Sequence, residues 1–149
     1  MVPATPLPAS RDLMPLLYET IFEFRKRLEL YRGRDGLSLE YFPVGACGDA
    51  SMLLAHHLSK SGFGPCRYTV GRTGSCTHAW LSDGNLVIDI TGDQFEGFGK
   101  PVFIGPATPW HQGFDVQEEH DAVISIWGPE WETKFRVAYD ALMKLSIVD

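Results

Sequence analysis

Cys47 is the residue of this chain best suited to covalent chemistry. It lies in Gly45-Ala46-Cys47-Gly48-Asp49-Ala50-Ser51, where a helix is expected to begin. A cysteine at a helix N-terminus meets unpaired backbone N–H groups and the positive end of the helix dipole. Both favour the thiolate, which is the nucleophile. Gly45 and Gly48 leave space beside it for a substrate backbone, which makes them substrate-binding candidates. Asp49, in the first turn, stabilises the helix but works against the thiolate. Burial as a small apolar side chain is the usual fate of a free cysteine, so Cys47 carries meaning only with partners.

Those partners lie in Thr77-His78-Ala79-Trp80-Leu81-Ser82-Asp83-Gly84-Asn85-Leu86-Val87-Ile88-Asp89-Ile90-Thr91. Asp83-Gly84 is a strong hairpin signal. With those two residues as the turn, Ser82 pairs with Asn85 and counting back sets His78 opposite Asp89. Directly opposed residues share a sheet face, with Cβ atoms about 5 Å apart. A two-residue shift of register leaves Asp89 diagonal to His78 on the same face. Only an odd loop or a bulge would separate them. Asp89 also sits in the apolar run Leu86-Val87-Ile88-Asp89-Ile90, where a carboxylate is costly without a partner. His78 is the partner that the hairpin supplies. A carboxylate beside an imidazole fixes its tautomer and raises its basicity.

Helices must carry and face this strand region. Leu17, Ile21, Phe24, Leu28 and Tyr31 repeat at helical spacing, in a helix from a Ser10 cap to about Arg32 with Gly33 as its stop. Pro15 belongs in the first turn of that helix. A second helix is expected from Cys47 to about Ser61. Its stripe of Ser51, Leu54 and Leu58 aims Cys47 at whatever the helix packs against. Cys66–Thr73, Thr77–Ser82 and Leu86–Thr91 read as strands, with Val102–Ile104 and Ala122–Ile126 as further short ones. Residues 105–121 read as a long loop. Pro129 opens a last helix whose buried face is Trp131, Phe135, Ala138, Leu142 and Leu145. The expected fold is a single α+β domain over 1–149, helices packed on an antiparallel sheet, with 1–9 as a Pro-rich lead-in.

A Gly-x-Cys opening a helix, then His-Ala-Trp on a strand and an Asp on the next, resembles the transglutaminase-like branch of the papain-like cysteine enzymes. The resemblance covers about residues 41–95. It implies a papain-like core with the nucleophile at a helix N-terminus and a Cys–His–Asp triad acting on an acyl group, usually an amide. By position, Cys47 is the nucleophile, His78 the general base and acid, and Asp89 the orienting residue. Deamidases, peptidases and transglutaminases share this chemistry, through a thioester. Two other readings stand beside it: an inactive papain-like binding or regulatory module, and an acyltransferase using a thioester donor. The chain departs from the pattern at Gly48, where many relatives carry an aromatic, and it lacks the papain-type glutamine upstream of the cysteine. The second oxyanion donor must come from elsewhere, and Tyr41 and Gln94 are the candidates.

Trp80 and Trp110 are candidates for the substrate side, as is Trp127, although aromatics are more often core. Asp93 is a possible substitute for Asp89. His56, His57, His111 and His120 are expected to be structural or exposed, the usual fate of lone histidines. Cys66 and Cys76 are expected to be inert. Three cysteines cannot all pair, and their spacing matches no CxxC zinc pattern; no HExxH, G-x-S-x-G or phosphate loop is present. No metal and no cofactor is therefore expected. A net charge of −6 argues against nucleic acid or an anionic membrane as partner; the resemblance implies a protein, peptide or small amide substrate. Met1–Pro8 lacks the basic and apolar regions of a signal peptide, so the expected location is cytoplasmic, with export by a route without such a signal left open. Oligomeric state is not readable.

Overall fold

The computed structural model describes residues 13–31, 36–84 and 86–147. The expected Ser10 cap, the Gly33 stop and the lead-in 1–9 lie outside the described residues. Among the described residues there are four α-helices: α1 Met14–Leu30, α2 Cys47–Lys60, the single turn α3 Pro109–Gln112, and α4 Pro129–Met143. The strands are β1 Arg67–Thr73, β2 Cys76–Ser82, β3 Val87–Asp89, β4 Phe103–Gly105 and β5 Asp115–Asp121. A 3-10 turn, Gly92–Gln94, follows β3. The strands form one sheet in the order β4-β3-β2-β1-β5, antiparallel at every junction. The α+β expectation with an antiparallel sheet is met.

The helical stripes do what their spacing requires. Leu17, Ile21, Phe24 and Leu28 of α1, Leu54 and Leu58 of α2, and Phe135, Ala138 and Leu142 of α4 are fully buried. They share one core with Tyr68, Ala79, Leu81, Ile88 and Ile90 from the near face of the sheet. Each of the leucine, isoleucine and phenylalanine side chains contributes about 1.5–3 kcal/mol by leaving water. On the far face, Trp80, Val87 and Phe114 form a second, smaller cluster, joined by Phe103 and Trp110. Trp131 departs from its expected place. It is 38% exposed, with Lys134 lying 4.6 Å over its ring.

Two strand expectations are corrected. Residues 105–121 are not a loop: they hold α3 and all of β5. Ala122–Ile126 is not a strand; the chain turns there instead, with Ile126 N–H donating to the Val123 carbonyl at 3.0 Å. β5 reads Asp-Val-Gln-Glu-Glu-His-Asp and is exposed along almost all its length, so it shows no alternation of apolar and polar residues. It pairs with β1 alone, across a bulge at Val70/Gly71.

The hairpin turn is also displaced. Leu81 pairs with Ile88 and Ser82 with Val87, two positions from the expected register. Asp83 donates its backbone N–H to the Leu86 carbonyl at 3.1 Å, and its carboxylate accepts the Leu86 N–H at 2.7 Å. Asp83 thus ends the strand rather than filling the first turn position, which falls to Gly84 at φ +94°. Position 85 lies outside the described residues. The shift is even, so the parity of the faces survives: Asp89 lies diagonal to His78 and on its side of the sheet.

Candidate functional site

α2 begins at Cys47, with Ala46 as its cap and no capping side chain. The first intrahelical bond runs from the Ala50 N–H to the Ala46 carbonyl, at 2.8 Å. The N–H groups of residues 47–49 therefore have no partner in the helix, as the sequence implies. Cys47 is half-buried against the main core. Asp49 accepts the Ser38 N–H at 2.6 Å and so ties the preceding loop to the helix start.

The two flanking glycines differ in their surroundings. Gly45 takes φ +71°, a conformation that other residues rarely adopt, and a Cβ there would meet open space. At Gly48 a Cβ would lie 2.9 Å from the Tyr68 hydroxyl. The room beside Cys47 that Gly48 provides is thus taken by a tyrosine of β1. Burial, Cys47, Asp49 and Glu118 all push the Tyr68 phenol pKa up, so it remains a hydroxyl.

His78 and Asp89 are buried completely, and His78 Nε2 lies 2.8 Å from Asp89 Oδ2. The carboxylate accepts a second bond at the same oxygen from His111 Nε2, also at 2.8 Å. Its other oxygen accepts the Thr91 N–H at 3.1 Å. Burial alone would lower the His78 pKa. The hydrogen bond to Asp89 and the nearby Cys47 sulfur outweigh it and raise the value to about 9. Burial pushes the Asp89 pKa up, but the bonds from His111 and His78 more than reverse that, so it is held down as a carboxylate.

With Nε2 committed to Asp89, Nδ1 is the His78 atom left for Cys47. It is buried and makes no bond of full hydrogen-bond geometry, while the Cys47 sulfur is near enough to help raise the His78 pKa. Gln94 shows a similar incompleteness. Its Oε1 accepts the Gly45 N–H at 3.4 Å, while its Nε2 is buried and unpartnered. Among the described residues two more buried polar atoms lack partners, Thr91 Oγ1 and His120 Nε2. Thr91 adjoins Asp89 through its amide, and His120 stacks at 4.9 Å on Tyr68, whose hydroxyl covers Gly48. Buried polar atoms are normally satisfied, and here the exceptions gather around the start of α2.

The remaining expectations divide. Trp80 is buried against His78, with ring centres 5.6 Å apart, and helps to line a cleft with His111, Phe114 and Arg67 in which Cys47 takes no part. Trp110 is half-buried and meets His78 edge-on at 5.5 Å. Trp127 packs on Tyr68 and the main core. Tyr41 is 74% exposed, and its groove is shallow, shared with Leu37, Val44 and Gly45. Of the two oxyanion candidates, Gln94 is the one with a buried donor to offer. Asp93 cannot replace Asp89, because both its oxygens are bound to Arg25 at 2.8 and 2.7 Å. Arg25 is itself buried, reaches the Ile90 carbonyl at 2.7 Å, and so fastens α1 to the turn that carries Gln94. Burial pushes the Cys66 thiol up to about 12, as expected of an inert cysteine.

The bond from His111 to Asp89 is the contact that sequence reasoning did not foresee. His111 is 3% exposed, and its Nδ1 lies 2.8 Å from Thr108 Oγ1. Thr108 also accepts the His111 N–H at 3.1 Å and caps α3, with Pro109 next. Thr-Pro is a cap followed by a first helical residue, a signal that places His111 on a fixed turn rather than a loose loop.

No protein-family model matches the chain. No curated protein and no solved structure matches it significantly. The described residues contain no group of three or more His, Cys, Asp or Glu that could hold a metal ion, and no helix long and apolar enough to cross a membrane.

Proposed function

We propose that this chain is a cysteine-dependent acyl enzyme with a papain-like, transglutaminase-like core, acting on a glutamine side chain or a peptide bond. The observation that carries this reading is the buried His78, bound to Asp89 through Nε2 and left with an unpartnered Nδ1 beside Cys47 at a helix start. In this reading the Cys47 sulfur attacks the carbonyl carbon. The oxyanion is received by the Cys47 N–H and by Gln94 Nε2. The C–N bond then breaks, His78 Nδ1 gives its proton to the leaving amine, and a thioester remains. Water resolves it in a deamidase or peptidase, and an amine does so in a transglutaminase.

Iodoacetamide labelling across pH tests the activated thiol. Cys47 should alkylate faster near neutral pH than Cys66 or the exposed Cys76. Equal rates would sink the proposal. Ammonia release from glutaminyl peptides reads the turnover, and Cys47→Ala should abolish it while changing the free energy of unfolding by no more than about 1 kcal/mol. Function that survives this substitution would favour a binding module.

A further inference from the structure

Asp89 Oδ2 sits between two imidazoles, each with Nε2 at 2.8 Å. A carboxylate only accepts, so both Nε2 atoms carry hydrogens when Asp89 is ionised. His111 is anchored at its other nitrogen by Thr108 Oγ1 and enclosed by Trp80, Phe98 and Trp110, each ring centre 5.0 Å away. Its donor is therefore aimed and held. The charged groups on this side stand further off: Lys100 over the rings of Phe98 and Phe103, and Arg67, Asp83 and Glu119 around a cleft that His111 helps to line.

We propose that His111 is a positioning residue that keeps Asp89 ionised, so that the proton shared across the His78–Asp89 pair stays on His78. This rests on the proposed role of Cys47 and His78 and extends it by one residue. The pair can hold its proton in two ways, as imidazolium with carboxylate or as imidazole with carboxylic acid. Complete burial favours the uncharged form. A second N–H on Oδ2 stabilises only the carboxylate, and so tips the pair toward imidazolium. Imidazolium at His78 is what a Cys47 thiolate and a leaving amine both require. The bond from His111 is also the foremost influence holding the Asp89 pKa down against burial. Thr108 Oγ1, 2.8 Å from Nδ1, fixes the ring so that Nε2 faces Asp89.

Histidine ring nitrogen NMR and iodoacetamide rates test this on the intact chain. In the wild type His78 should be imidazolium at pH 7. In His111→Ala it should be neutral at pH 7, and Cys47 alkylation should slow by about tenfold. His111→Gln, which can donate N–H to Asp89, should stay within about twofold of the wild type. The cleft beside His111 encloses about 580 Å³, so the space vacated in His111→Ala is open to small molecules. Added imidazole should then restore most of the rate. An imidazolium at His78 and an unchanged rate in His111→Ala would overturn the proposal. So would a loss that His111→Gln shares and imidazole does not repair. Should the alanine variant not fold, His111→Phe, which fills the space without a donor, takes its place against His111→Gln. The ring spectra read the proton on His78 whether or not Cys47 is reactive. A wild type with imidazolium at His78 and an inert Cys47 would therefore defeat the enzyme reading alone.

Discussion

A histidine stands at each end of α2, half-buried His57 near its last turn and fully buried His78 of β2 at its first, and the two behave oppositely. Near the last turn, His57 stacks on Phe24 at 4.7 Å and shares a 2.8 Å hydrogen bond with the Tyr139 hydroxyl. Burial, with Arg27 and His56 adding to it, pushes its pKa down to about 4. At the first turn, His78 is buried more deeply, yet the Asp89 carboxylate and Cys47 raise it to about 9. Burial by itself empties an imidazole of its charge, and one carboxylate reverses the sign. The surroundings differ in kind as well. His57 Nδ1 has its partner in Tyr139, whereas His78 Nδ1 and Gln94 Nε2 are left with bonds unmade.

Asp89→Asn should have the largest effect, because it makes the first end resemble the second. The His78 midpoint should fall from about 9 to below 6.5, and turnover should drop by roughly 10²–10⁴-fold. A His78 that stays imidazolium at pH 7 in this variant would break the comparison. Gln94→Ala removes the unpartnered donor and should lower kcat by roughly 10²–10³-fold with little change in KM. A change confined to KM would assign Gln94 to substrate binding instead. Arg25→Met cuts both bonds to Asp93 and should cost about 3 kcal/mol in urea unfolding, since a charge is left without its buried partner.

Stability should also depend on pH, with opposite sign at the two ends. His78, raised in the fold, contributes stability that is full below about pH 6.5 and is lost as pH rises through about 9. His57, lowered in the fold, contributes stability that is full above about 6.5 and is lost as pH falls toward 4. Asp89, held down, adds to the acid loss as pH falls through its folded value. Urea midpoints should therefore peak near pH 6.5. His57→Phe should flatten the acid side and Asp89→Asn the alkaline side. A midpoint that rises steadily to pH 9 would contradict the assignment of His78.

Much of this arrangement is legible in the sequence because it rests on parity. The hairpin turn lies one residue later than Asp83-Gly84 implies, yet His78 and Asp89 still share a face, because the register moved by an even number. The start of α2 is equally legible, since Gly45 at φ +71° and the Cys47 stripe follow local rules. What escapes is whatever depends on contacts distant in sequence. Gly48 is small because Tyr68, twenty residues away, occupies its space. His111 reaches Asp89 across 22 positions through a one-turn helix. β5 escapes for a different reason: an edge strand facing water has no need of alternating apolar residues.

That same strand has a consequence for how the molecule meets its copies. β5 closes one margin of the sheet, and a bare margin is a template on which another chain can add. Four of its seven residues, Asp115, Glu118, Glu119 and Asp121, are acidic and exposed. Two such margins approaching each other would set carboxylates against carboxylates before any backbone bond could form. The composition that hid this strand from sequence reading also serves as its guard against edge-to-edge aggregation.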